Sequence, residues 1–143
     1  MIRAYNEAYP PRAFPNLWKR IEGMIDQGRM LMPDEVLNEL EVGSDSVYHY
    51  AKSIIGFVVP LDAIQFNTAR TIMNKYPNLV DLNTSKNSAD PFLITLAQVK
   101  TATVISEERV RNDKQLKIPN ICKWHGLRCI DFLGFLEEQE WGL

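Results

Sequence analysis

The stretch from Ser88 to Glu108 most constrains what this chain can fold into. It places an acid, Asp90, before Pro91, then an apolar face through Phe92, Leu93, Leu96 and Ala97 at three-to-four spacing. That spacing predicts a helix. A bounded apolar run, Ala102 to Ile105, comes next and reads as a strand ending at Ser106, Glu107 and Glu108. Asp90 and the acid pair are thereby expected near one edge of an open α/β sheet, where loops at the carboxyl ends of strands gather ligands. As the residue before Pro91, Asp90 also suits a helix cap, and Glu107 and Glu108 also suit plain exposed acids.

The remaining chain supplies helices around this unit. Phe14, Leu17, Trp18, Ile21, Met24 and Ile25 mark one face of a helix stopped by Gly28. Arg29–Met32 reads as a strand, followed by a helix from about Pro33 to Val42 that buries Val36, Leu37 and Leu40. Glu39 lies three residues after Val36 and so flanks that stripe, where a carboxylate is otherwise a rim residue. Asp45–Ser53 reads as a helix with Val47, Tyr48 and Ala51 inward and His49 at the surface or its boundary. Phe57–Val59 is a weak extended piece. Leu61–Tyr76 reads as a helix through Ile64, Ala69, Ile72 and Met73, closed by Pro77. Asn83–Asn87 is expected as a polar loop and Arg109–Lys117 as a charged, mobile one. A short helix over Pro119–His125, a strand over Arg128–Ile130 and a terminal helix capped by Asp131 complete the reading. Met1–Pro15, with three prolines, is expected to be a connection.

Helices alternating with short strands predict a single α/β domain over residues 1–143, a sandwich with a small, mostly parallel sheet. A length of 143 residues suits one domain with a real core. No segment approaches the roughly 18 apolar residues that span a bilayer, and the start does not resemble a signal peptide, so the expected address is the cytoplasm. Cys122 and Cys129, with His125 between them, lack both a fourth ligand and a standard zinc spacing, and read as reduced, half-buried hydrophobes.

The net charge of −2 conceals an asymmetry. From Lys100 to Arg128 there are seven basic residues against three acids, a balance of +4, leaving nine against fifteen elsewhere. A basic segment directly after an acid cluster suits a phosphodiester substrate, with cations on the backbone and carboxylates on metal. A solvated loop with ordinary surface charges would look the same in composition.

The order "EVLNEL", "SADPFLITLA", "TVISEE", "KIPNICKWHGLRCID" resembles the PIN-domain nucleases, in particular a VapC-like branch, over nearly the whole chain. The resemblance implies a three-layer α/β/α sandwich with carboxylates at the carboxyl edge of its sheet. They bind magnesium or manganese and hydrolyse RNA. By motif, catalytic and metal-binding roles fall on Glu39, Asp90 and Glu108, with Ser106 and Glu107 in support. RNA contact falls to the basic segment, through Arg109, Arg111, Lys114, Lys117 and Lys123. A hard divalent ion takes oxygen ligands, polarises a phosphoryl oxygen and activates the attacking water. The resemblance further implies a toxin paired with an antitoxin protein, and a homodimer. The family opens with a central strand ending in an aspartate, whereas Met1-Ile2-Arg3-Ala4-Tyr5-Asn6 matches only the residues beyond that aspartate. The first acid and its strand are therefore expected to be missing here, which points also to an impaired module that binds RNA or a protein partner without cutting.

Overall fold

Apolar residues at helical spacing become helices throughout the computed structural model, which describes residues 1–80 and 88–141. The architecture is mixed α/β, dominated by helices, with two small parallel sheets. The chain divides into two compact units, Met1–Pro60 with Leu136–Leu143, and Leu61–Phe135. The polar loop expected over Asn83–Asn87 lies outside the described residues.

In the first unit, α1 (Pro15–Asp26) buries the expected stripe, Leu17, Trp18, Ile21, Met24 and Ile25. The N-terminal segment is not a bare connection. Ala4–Ala8 forms a π turn, closed by a bond from the Tyr9 N–H to the Ala4 carbonyl at 2.8 Å. Aromatic packing accounts for it: Tyr5 lies 4.9 Å from the Trp18 ring and 4.8 Å from Tyr50, and the Trp18 indole donates to the Tyr9 carbonyl at 2.6 Å. Such ring pairs add to the area they bury. Burial, together with the Glu22 carboxylate nearby, pushes the Tyr50 hydroxyl up in pKa.

Next come β1 (Met32–Pro33), α2 (Asp34–Gly43), α3 (Asp45–Ser53) and β2 (Val58–Val59). The strand expected over Arg29–Met32 shrinks to Met32 and moves onto Pro33. Pro33 has no N–H to give, so the pairing rests on Met32, which donates to the Phe57 carbonyl at 2.8 Å. β1 and β2 run parallel, with Met32 opposite Val58. In α3, Val47 and Ala51 are fully buried and His49 is exposed, as its pattern predicts, while Tyr48, also expected inward, is half-buried.

In the second unit, α4 (Ala63–Lys75) opens on a reciprocal capping box. Asp62 accepts from the Gln65 N–H at 2.8 Å, and Gln65 accepts from the Asp62 N–H at 3.0 Å. Ala69 and Ile72 face inward as expected, but Ile64 is 77% exposed. As the second residue of α4, Ile64 has no preceding turn to shelter it. α5 (Asp90–Lys100) packs on α4 and is buried on most sides, taking in Ile94 and Thr95 beside Leu96 and Ala97. Thr95 manages this by donating its hydroxyl to the Pro91 carbonyl one turn back, at 2.8 Å.

β3 (Val104–Ile105) and β4 (Cys129–Ile130) are parallel, with Val104 opposite Cys129 and Ile105 opposite Ile130. Between them lies α6 (Ile118–Trp124), and α7 (Phe132–Glu138) follows β4. Ile72, Tyr76, Leu79, Ile94, Ala97, Val104, Ile118, Ile121 and Cys122 make one continuous core. Ile94→Ala should lower the stability of the chain by about 2–5 kcal/mol in urea denaturation. Ile64→Ala, at the exposed start of α4, should stay within about 0.5 kcal/mol of wild type.

Candidate functional site

The carboxyl ends of β3 and β4 carry a concentration of acids whose positions follow from local bonding. Ser106 continues the strand pairing by donating its N–H to the Ile130 carbonyl at 2.9 Å, and its hydroxyl accepts from the Glu108 N–H at 3.2 Å. That turn fixes the direction of the two glutamates. Glu108 Oε2 accepts from the Ile118 N–H at 2.8 Å, at the start of α6. Glu107 Oε1 accepts from the Phe132 N–H at 2.9 Å, at the start of α7. Both carboxylates thus satisfy helix donors that have no partner inside the helix, at the end where negative charge is favoured. Asp131 acts as the cap its position predicts, accepting from the Gly134 N–H at 2.7 Å.

Asp90 is not the cap of α5. That position belongs to Ala89, and Asp90 is the first helical residue, buried to 9% exposure with Pro91 behind it. Helices tolerate proline in their first turn, so the Asp-Pro pair opens the helix without breaking it. Glu39, expected to flank the buried face of α2, is exposed. Of that stripe, Leu40 is buried while Val36 and Leu37 are half-buried. The carboxylate that α2 does partly bury is Glu35, which from spacing alone is an ordinary first-turn acid. Its Oε2 is buried without a hydrogen-bond partner among the described residues. Burial first, and the neighbouring Asp34 charge after it, hold its pKa above the usual carboxylate range, against a lowering bond to its own backbone.

The basic segment is tied at several points by hydrogen bonds. Asn120, 3% exposed, donates from Nδ2 to the Asn112 and Gln115 carbonyls, each at 2.9 Å. Gln115 accepts from the Arg111 N–H at 2.6 Å, and Asn112 accepts from the Lys114 N–H at 2.9 Å. Arg109, Arg111 and Lys114 remain exposed on this frame. Lys117 turns back to donate to the Arg109 carbonyl at 3.1 Å. Lys123 lies 3.8 Å from Asp113, with both side chains mostly in solvent. A pair so exposed contributes little. The sequence does carry a signal for Asn120, since an asparagine amid the apolar Ile118, Ile121 and Cys122 needs partners.

Beside α6 lies a polar arrangement that sequence reasoning misses. Gln98 Nε2 lies 2.8 Å from His125 Nδ1, and the Tyr76 hydroxyl lies 2.9 Å from His125 Nε2, so both ring nitrogens are engaged. Burial, and then the charge of Lys75, push the His125 pKa down. With both nitrogens engaged in this way, His125 is not poised as a partner of the cysteines in a metal site. Cys122 is buried and Cys129 half-buried, both as free thiols. Cys122 donates to Cys129, a bond that, with burial, pushes the Cys122 thiol up. Accepting that bond lowers the pKa of Cys129, opposed by burial and by the nearby Glu108 and Asp131 carboxylates.

A divalent cation needs several oxygens converging at about 2.0–2.6 Å. Among the described residues no group of three or more His, Cys, Asp or Glu side chains could hold one as placed. The helix-start bonds of Glu107 and Glu108 occupy one oxygen of each. These residues do not by themselves fit a metal.

One protein-family model, described as Domain of unknown function (DUF4411), matches residues 1–143. No curated protein and no solved structure matches the chain.

Two outcomes test the geometry. Glu108→Ala, which leaves the Ile118 N–H without its acceptor, should cost about 0.5–2 kcal/mol in urea denaturation. Glu108→Gln, whose amide oxygen can still accept, should cost less. For His125 the sign comes from its depressed pKa. The folded state prefers the neutral ring, so that contribution is complete above the ordinary value near 6.5 and is lost as pH falls through the lower folded value. The urea midpoint should therefore drop between about pH 7 and pH 5. His125→Gln should show a shallower drop over the same range.

Proposed function

The chain belongs to the DUF4411 family, and we propose that it is a PIN-like protein acting on RNA, an endoribonuclease for which the family resemblance implies Glu39, Asp90 and Glu108 as acids. The single observation that carries this reading is the setting of Glu108. A parallel strand delivers it to the carboxyl edge of a sheet, and a tied basic loop leaves from that same point. Open α/β sheets bind ligands at that edge. Arg109, Arg111 and Lys114 offer charge to a phosphate backbone, with Lys117 and Lys123 alongside.

On this reading the finer fold is the PIN three-layer α/β/α sandwich, and Ser106 and Glu107 support the acid edge. Ser106 holds the turn that aims Glu108. Magnesium or manganese is the ion that the family resemblance implies. The cellular role that goes with the resemblance is a toxin held by an antitoxin, working as a homodimer in the cytoplasm. No described helix is long and apolar enough to cross a membrane.

A specific observation favours a second reading. Glu107 and Glu108 each already serve a helix start, and a carboxylate that builds the fold is a poor candidate to be rearranged around a cation. In that reading the protein binds RNA or a protein partner without cutting.

Incubating the purified chain with structured RNA and manganese separates the two. The nuclease reading expects cleavage that Asp90→Asn reduces by at least about 100-fold, a loss of some 2.7 kcal/mol in transition-state stabilisation. Equal cleavage by wild type and Asp90→Asn sinks the site assignment. No cleavage, together with calorimetry showing no uptake of manganese at millimolar levels, supports the binding module instead.

A further inference from the structure

An aromatic ring left in solvent beside lysines calls for an explanation that the acid edge does not supply. Trp124, the last residue of α6, is 41% exposed. Its indole stacks on the ring of Tyr76, with centroids 5.7 Å apart and planes 29° from parallel. Tyr76 is itself 9% exposed and held in place, because its hydroxyl meets His125 Nε2 at 2.9 Å while Gln98 meets the other ring nitrogen at 2.8 Å. The exposed ring therefore rests on a support that is already ordered. A ligand stacking there would have little left to immobilise.

Charge selects the ligand. Lys75 Nζ lies 5.6 Å from the centroid of the same Tyr76 ring, and Lys123, which precedes Trp124 in sequence, has its side chain 70% exposed and its Nζ 3.8 Å from the solvated Asp113 carboxylate. Tryptophan is enriched at protein interfaces, but lysine is depleted there, so a tryptophan flanked by lysines suits a polyanion with flat apolar faces better than a dry protein contact. Single-stranded nucleic acid has that chemistry, combining stacking bases with phosphates. A duplex keeps its base faces covered and could not use the ring.

We infer that Trp124 is a stacking platform for one base of single-stranded RNA, with Lys75 and Lys123 on the flanking phosphates and Tyr76 and His125 positioning the indole. This extends the proposed action on RNA and rests on it. Every base presents a π face, so this position adds affinity and discriminates little among sequences.

Fluorescence anisotropy on the full chain tests the inference with two labelled strands, a short oligouridylate and an abasic ribose-phosphate strand of equal length and charge. Trp124→Ala should weaken oligouridylate binding roughly tenfold. It should leave abasic-strand binding and the salt dependence of both strands unchanged. Trp124→Phe should restore most of the loss. If wild type binds oligouridylate and Trp124→Ala binds it equally well, the platform is refuted while the RNA reading stands. Equal weakening by Ala and Phe on both strands would mean that Trp124 only supports the fold, and would also refute it. If wild type binds neither strand in a salt-sensitive way, the RNA reading fails and the platform with it.

Discussion

The second unit depends on two backbone-to-carboxylate bonds, Ile118 N–H to Glu108 and Phe132 N–H to Glu107. The turn that Ser106 makes with the Glu108 N–H follows directly on β3. Two adjacent glutamates leaving one strand there serve two different helices. A pair of two-residue strands offers few ladder bonds, so the register between β3 and β4 needs help from outside the ladder. It comes from Ser106, which extends the pairing by one bond to Ile130, and from the two acids, which attach the helix after the basic loop and the helix after β4 to the end of β3.

That arrangement explains why the fold is largely legible in the sequence and its acids less so. The stripe of α1, Val47 and Ala51 of the three residues expected inward in α3, the central residues of β3 and β4 and the Asp131 cap each follow from spacing over a few residues. Strand lengths come out too long from sequence because pairing requires a neighbour's backbone: Ala102 and Thr103 are exposed, and the Ala102 N–H goes to the Ala97 carbonyl of α5 at 2.9 Å instead of to β4. The π turn at Ala4–Ala8 is illegible for a related reason. It is set by Tyr5 meeting Trp18 and Tyr50, partners 13 and 45 residues away.

The acids show the limit more sharply. Glu39 and Glu35 sit one helical turn apart on α2, and residue spacing alone favours Glu39 as the one beside the core. The structure exposes Glu39 and partly buries Glu35, because the first turn of α2 follows directly on the paired residues Met32 and Pro33. For Glu107 and Glu108, the sequence shows two acids after a strand but nothing about which donors they meet. Those donors lie 25 and 10 residues further along. The tie on the basic loop is similarly indirect: proline-free, charged and polar, Arg109–Lys117 has the composition of a flexible segment, and besides bonds within the loop it is held by a buried side chain outside it, Asn120.

The way these charges are satisfied bears on what the unit can bind. Lysines and arginines placed next to three acids would ordinarily pair with them, and both signs would then be spent internally. Here Glu107, Glu108 and Asp131 are satisfied by backbone N–H groups, and Lys117 by a backbone carbonyl. The ion pair formed within the loop region, Lys123 with Asp113, is long and solvated. Backbone N–H groups thus take the place of counter-ions for these acids, and Arg109, Arg111 and Lys114 are exposed. A strand of phosphates approaching the loop would meet that charge without first having to break strong internal pairs. Had the glutamates been held by side-chain cations instead, every phosphate contact would compete with the bonds that attach α6 and α7, and binding would loosen the fold it depends on.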